Sequence, residues 1–192
     1  HPDGVVVADE TGKRFSSAGT PPESVQIEEQ GPLRLVLRIA GRYAAADGTT
    51  FMSYITRLTF RRDHPAVEIA HTHINTRLDT EFSDMASLTA VFQPASPART
   101  LQPRLADGAT LAPLQAVAQW TDAALAVDGR PVAGARLSGA ATATLDGGTL
   151  GLALQVCWQR WPKGMALTPG GAIELALLPR QPAADFGTDL PH

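Results

Sequence analysis

Apolar and polar residues alternate with a period of two through the first half of the chain, as in strands that bury one face. In residues 33–39 the aliphatic side chains at odd positions share one face, while Arg34 and Arg38 lie on the other. Residues 51–61 repeat the alternation, and the Asp-Gly dipeptide at 47–48 between the two segments is a hairpin turn signal. The pattern predicts a meander of antiparallel strands.

Segments of the same kind recur along the chain and end at Gly, Pro or Asp-Gly signals. They are residues 5–7, 24–29, 66–74, 115–120, 124–127, 133–145, 150–158 and 173–178. Residues 94–113 are rich in Pro and Ala and predict a loop excursion with weak strands. We therefore predict an all-β domain over residues 1–180, a two-layer antiparallel β-sandwich of the supersandwich kind with under about 10% helix. Residues 181–192 are interpreted as an exit linker towards a missing C-terminal domain.

Composition narrows the classes of partner. The formal net charge of -3 argues against a nucleic-acid partner, and no apolar run reaches the roughly 18 residues that a membrane helix needs, so no membrane partner is expected. Cys157 is the single cysteine, which rules out an internal disulfide and leaves the compartment open. The basic residues are 14 Arg and 2 Lys, and Arg is the better bidentate partner for carboxylates.

Two histidines share a strand face in residues 66–74, where His71 and His73 alternate with smaller side chains. A divalent ion accepts imidazoles in this arrangement, with a third ligand from His64, Glu81 or Asp84. His71 is also a candidate acid–base group, since its pKa suits proton transfer near neutrality. The alternative interpretation is a structural histidine whose ring nitrogens form hydrogen bonds within the sheet. Two imidazoles alone are a weak metal signal, so we predict no metal and no cofactor, and keep a divalent metal at these two histidines as the alternative.

Arg34, Arg38 and Arg57 form a second candidate site if the predicted hairpin pairs as drawn. A guanidinium cluster on one sheet face would hold the carboxylates of an acidic, uronate-containing polysaccharide. The alternative is a solvated face whose arginines pair with Glu28, Glu29 or Glu68.

A third candidate is the turn at residues 157–164, which brings together Trp158, Arg160, Trp161 and Lys163. Aromatic faces beside hydrogen-bond donors suit sugar rings. Packing of a tryptophan into the sandwich is the competing interpretation. The chain has no Gly-rich phosphate loop and no Gly-x-Ser-x-Gly elbow, which disfavours nucleotide and serine-hydrolase chemistry.

Taken together, four segments resemble the central β-sandwich of exo-rhamnogalacturonan-lyase-like proteins. They are residues 28–34 (EEQGPLR), 54–60 (YITRLTF), 67–76 (VEIAHTHINT) and 158–164 (WQRWPKG). Members of that family look like three-part chains with an N-terminal barrel, this sandwich and a C-terminal α/α toroid. His73 stands where the family pattern suggests an apolar or aromatic residue, so the resemblance does not support a paired-histidine metal site.

The resemblance implies β-elimination of pectic rhamnogalacturonan, in which the C5 proton of a uronate is removed after its carboxylate is neutralised. On residue type, the neutralising group would be Arg34, Arg57 or Arg160, and the proton would move through His71 or Tyr54. The candidate residues follow from these roles. They are His71, Tyr54 and Arg57 as catalytic groups, and Arg34, Arg38, Arg160, Trp161 and Lys163 as substrate-binding groups.

The implied partners are an acidic polysaccharide and other domains of the same polypeptide, in an extracellular or periplasmic location. We expect the isolated domain to be inactive, because an active cleft built between domains loses ligands when one domain is removed. Two alternatives come from other functional classes: a non-catalytic carbohydrate-binding or scaffold module, and a structural or adhesion sandwich of a secreted protein.

Overall fold

A computed structural model of the protein describes residues 4–76, 85–157, 159–160 and 162–180. Several residues named above lie outside the described residues. They are Glu81, Asp84, Trp158, Trp161 and the predicted linker at 181–192.

Strands account for all the regular secondary structure of the described residues, and no helix occurs among them. In chain order the strands are Gly4–Asp9 (β1), Arg14–Ser16 (β2), Ser24–Gln30 (β3), Arg34–Ala44 (β4), Thr50–Arg61 (β5), Glu68–Ile74 (β6), Met85–Phe92 (β7), Ala98–Leu105 (β8), Ala116–Gln119 (β9), Ala124–Val127 (β10), Arg130–Ala133 (β11), Leu137–Leu145 (β12), Gly148–Ala153 (β13), Lys163–Leu167 (β14) and Ile173–Leu178 (β15). The described segments accordingly offer no helical stretch long and apolar enough to cross a membrane.

The strands form two antiparallel sheets, which confirms the predicted all-β sandwich class. The large sheet has the order β11-β10-β9-β14-β15-β7-β1-β2-β4-β5-β6, with β3 added alongside β4. The small sheet has the order β13-β12-β8. Strands β4, β5 and β6 follow one another in space as in sequence, so the predicted meander is confirmed.

Two segments differ in detail from the prediction. The loop excursion with weak strands predicted at 94–113 contains the eight-residue strand β8, and the end of the turn predicted at 157–164 belongs to β14. Prolines in the first segment suggested a break in the strand. β8 is an edge strand of the small sheet, and a proline is tolerated there because one side of the strand forms no ladder hydrogen bonds. β14 is only five residues long and is defined by its pairing with β9 and β15.

The buried side chains form two clusters. The first lies between the small sheet and the β9, β10, β14 and β15 part of the large sheet, and its largest buried side chains are Leu101, Leu125, Leu137, Met165 and Ile173. The second lies where β1, β2, β4 and β5 meet, and its members include Val7, Phe15, Tyr43, Phe51 and Tyr54. Each fully buried apolar side chain stabilises the fold by roughly 1.5–3 kcal/mol. The second cluster is the one that carries tyrosines, and it adjoins the predicted histidines.

A β-bulge interrupts the β4–β5 ladder beside this second cluster. Arg42 pairs with Ser53 and Tyr43 pairs with Phe51, so Met52 is the extra residue on β5. Met52 has a positive φ of 56°, which is uncommon for a residue with a side chain. The bulge shifts the alternation of β5 by one residue, so that Phe51 and not Met52 pairs with Tyr43.

Candidate functional site

Strand register brings Tyr54, His71 and His73 to one face of the large sheet. Tyr54 pairs with His73 and Thr56 pairs with His71 across the β5–β6 ladder. Directly paired residues of neighbouring strands point to the same side of a sheet. The predicted sharing of one face by the two histidines is confirmed, and Tyr54 is added to that face.

Tyr43 joins the two histidines, and the sequence analysis missed it. Its hydroxyl lies 2.5 Å from Nε2 of His71 and 3.4 Å from Nδ1 of His73, and its side chain is fully buried. Thr56 Oγ1 lies 2.8 Å from the other ring nitrogen of His71. The signal was present, because the alternation of residues 33–39 continues at odd positions through Gly41 to Tyr43.

Tyr54 packs as the second aromatic wall of this cluster. Its ring stacks on His71 with a centroid separation of 5.7 Å and an interplanar angle of 22°, and it lies 5.2 Å from the Tyr43 ring. The Tyr54 hydroxyl donates a hydrogen bond of 3.0 Å to the carbonyl oxygen of Ser17. This hydrogen bond holds the Tyr54 ring in place, and the catalytic role predicted for Tyr54 stays a prediction.

Burial keeps all four ionisable side chains of the cluster uncharged near neutral pH. It lowers the pKa of His71 to about 4, with a smaller contribution from the neighbouring His73, and it also lowers the pKa of His73. Burial raises the pKa of Tyr43 and of Tyr54 above the ordinary tyrosine value. Removal from water penalises the charged form of each group, which explains the opposite directions.

The hydrogen bonds form a continuous chain from Thr56 through His71 and Tyr43 to His73. When Tyr43 donates to His71 Nε2, the opposite ring nitrogen donates to Thr56 and His73 Nδ1 donates to Tyr43. Reversing every donor gives the second consistent arrangement. In both, the two nitrogens of His71 are occupied, while Nε2 of His73 is buried and has no partner among the described residues.

The arginine face is the opposite side of the same strands. Arg57 pairs with Ala70 across the ladder, so it points away from His71. Its guanidinium binds Glu28 through two hydrogen bonds of 2.6 and 2.9 Å, and both side chains are more than one-third exposed. Arg34 lies 3.5 Å from Glu29. This matches the alternative of a solvated, carboxylate-paired face.

Arg38 differs from the other predicted arginines. It lies directly opposite Arg57 on the neighbouring strand. Within the described part of the chain, it has no carboxylate within 4.0 Å, although its charge helps to lower the pKa of Glu28. A bulge between Ile27 and Glu29 displaces Glu28 from the regular β3 ladder. The displaced carboxylate reaches across β4 to Arg57.

Lys163 lies in another part of the large sheet, and Arg160 lies in the turn that precedes it. Lys163 begins β14, and six of the described strands stand between β14 and β6 in the sheet order. Its ammonium group donates to the carbonyl oxygens of Leu177 at 2.7 Å and Pro162 at 3.3 Å, and burial lowers its pKa. Arg160 is exposed. The predicted substrate roles of both residues, and that of Trp161, stay predictions.

A metal at the histidines would need ligands that the described residues do not bring together. No group of three or more His, Cys, Asp or Glu side chains in the described ranges is arranged to hold a metal ion. His64 is exposed, and its Nδ1 accepts a hydrogen bond of 3.2 Å from the backbone of Ala66. Glu81 and Asp84 lie outside the described residues, so the metal alternative stays untested at those two positions.

The part of the chain that holds the histidine–tyrosine cluster is similar to a known protein family. Residues 6–86 match the family described as PcRGLX-like protein central beta sandwich domain. The predicted resemblance is confirmed over these residues, and the fourth segment of that prediction, 158–164, lies beyond them. No curated protein and no solved structure matches the chain significantly.

The PcRGLX-like match runs from within β1 to the start of β7. It therefore includes Tyr43, both histidines and the arginine face. Arg160 and Lys163 lie beyond it. The candidate site of the PcRGLX-like segment is thus the histidine–tyrosine cluster on one side of β4–β6 and the arginines on the other.

Proposed function

We propose that this chain is the sandwich domain of a rhamnogalacturonan-lyase-like protein that acts on acidic pectic polysaccharide by β-elimination. Within that protein it serves as a scaffold and does not complete the elimination chemistry alone. The observation that supports this role is the separation of Arg57 and His71 onto opposite faces of the sheet.

β-Elimination from a uronate requires a cation at the carboxylate and a base at C5 of the same sugar ring. Arg57 faces away from His71 and is already engaged by Glu28. His71 has both ring nitrogens in hydrogen bonds, so neither is free to take a proton from a substrate. Groups other than Arg57 and His71 would therefore have to supply the chemistry.

A second role, binding of the acidic polysaccharide, is favoured by one feature of the arginine face. Four of its arginines lie within 4.0 Å of a glutamate, namely Arg34, Arg42, Arg57 and Arg61. Arg38 adds a positive charge without such a partner among the described residues. A substrate carboxylate is the natural complement of that excess charge.

The test incubates the purified chain with acidic rhamnogalacturonan oligosaccharides and follows the ultraviolet absorbance of unsaturated uronate products. We expect no products from the wild type or from Glu28→Gln, which frees Arg57. Steady product formation that His71→Ala abolishes would refute the scaffold role. Binding without cleavage, weakened by Arg38→Ala but not by the matched exposed control Arg130→Ala, would establish the binding role.

A further inference from the structure

Strand β6 is attached to the sandwich in an unusual way. It is the edge of the large sheet and pairs only with β5 among the described strands. Most of its side chains are exposed, including Ile69 at 46%, and only His71, His73 and Ile74 are partly buried. An edge strand is normally anchored by apolar side chains in the core. Here the imidazoles occupy those positions.

The hydrogen-bond chain accommodates one additional proton but not two. With His71 protonated, its two N–H groups donate to Thr56 and Tyr43, and the Tyr43 hydroxyl turns towards His73. If His73 is protonated as well, Tyr43 faces two N–H donors and its own hydroxyl hydrogen loses its acceptor. A second proton therefore leaves the buried Tyr43 hydroxyl hydrogen unsatisfied and places two positive charges beside each other.

No negative charge in the described surroundings offsets these protons. The polar groups facing the histidines are Tyr43 from β4 and Tyr54 and Thr56 from β5. The side chains that β1, β2 and β7 contribute to the same core are apolar, namely Val5, Val7, Phe15, Met85, Leu88 and Ala90. Glu23 helps to raise the pKa of Tyr54, but no acidic group contributes to the pKa shift of either histidine.

We propose that the Tyr43–His71–His73 cluster is an acid-sensitive anchor, and that its protonation releases β6 from the sheet while the remainder of the sandwich stays folded. The first core cluster contains no histidine, so the small sheet and its partner strands have no comparable response to acid. The inference is independent of the proposed function.

The direction of the effect follows from the depressed pKa of His71. Burial lowers this pKa from 6.5 to about 4. Between these two pH values, His71 therefore binds fewer protons when β6 is paired in the sheet than when β6 is released. Closure is therefore fully favoured above the ordinary histidine pKa and is progressively lost as the pH falls towards the lower value. The equilibrium constant for release rises about 30-fold between about pH 7.5 and about pH 5.

Amide hydrogen exchange, corrected for intrinsic rates, tests the anchor on the whole chain. We expect the protection of β6 amides to fall about 30-fold between about pH 7.5 and about pH 5, while β12 amides keep their protection. His71→Leu should make β6 protection less dependent on pH than in the wild type, because only His73 is then left to titrate. Should that variant fail to fold, Tyr43→Phe, which removes the bridging hydroxyl, should change the pH midpoint of β6 release.

Two results would overturn the proposal. One is unchanged β6 protection across the same pH range. The other is a parallel loss in β6 and β12, because that result indicates global unfolding and not release of one strand. The wild-type measurement alone separates these outcomes from the expected one.

Discussion

Gly41 is the position where one added methyl group would most directly disturb the candidate site. A Cβ atom there would lie 2.8 Å from the Tyr54 hydroxyl oxygen, 3.1 Å from Cζ and 3.3 Å from Cε1. Tyr54 is only 4% exposed, so its ring has little room to move. In Gly41→Ala the ring must shift away, and the hydrogen bond to Ser17 must lengthen or break.

The expected cost has two parts. Overpacking a well-filled core costs about 1–3 kcal/mol. Loss of the Tyr54 hydrogen bond adds about 0.5–1.5 kcal/mol. We therefore expect Gly41→Ala to lower the free energy of unfolding by roughly 2–4 kcal/mol, which corresponds to a fall in Tm of about 5–15 °C for a domain of this size.

Urea unfolding of a double-mutant cycle provides the assay. Tyr54→Phe removes the nearest atom and should cost about 1 kcal/mol alone, since one hydrogen bond is lost. The loss of unfolding free energy in the double variant should be about 1 kcal/mol smaller than the sum of the losses in the two single variants. The reason is that the hydrogen bond is lost only once and the closest contact is absent. Gly151→Ala is the matched control, as a Cβ at that strand position meets nothing within 4 Å.

Equal destabilisation by Gly41→Ala and Gly151→Ala would refute the reasoning, because only the first crowds a buried ring. Strict additivity in the cycle would also refute it, since the Tyr54 ring would then not be the group that the new methyl displaces.

Two further predictions concern the first core cluster. Gln119 is fully buried, donates a hydrogen bond of 2.7 Å to the carbonyl oxygen of Thr121 and accepts one of 2.7 Å from the Leu137 N–H. Gln119→Leu should therefore lower the free energy of unfolding by about 2–4 kcal/mol in urea titrations. A loss below about 1 kcal/mol would contradict the role of these bonds. Burial raises the pKa of Cys157 to about 11. A thiol-specific reagent at mildly alkaline pH should therefore modify the unfolded chain and leave the native chain unmodified. Rapid modification of the native chain would show that the thiol is accessible.

The period-two alternation was sufficient to predict the class of fold and the face shared by His71 and His73. Alternation is a property of the local backbone, since successive side chains of any strand point to opposite sides. The same pattern also identified the glutamates as possible partners of the arginines. For these features no knowledge of distant contacts was needed.

Tertiary structure decided which faces meet. Whether Arg57 joins His71 depends on the β5–β6 register, and the meeting of Tyr43 with the histidines depends on the pairing of β4 with β5 and of β5 with β6. Strands β8 and β14 are likewise defined by their partner strands. Register and pairing are set by long-range packing, which one chain segment does not encode by itself. The local pattern therefore predicted the strands and the residues on each face, whereas packing between strands joined Tyr43 to the histidines and kept Arg57 apart from them.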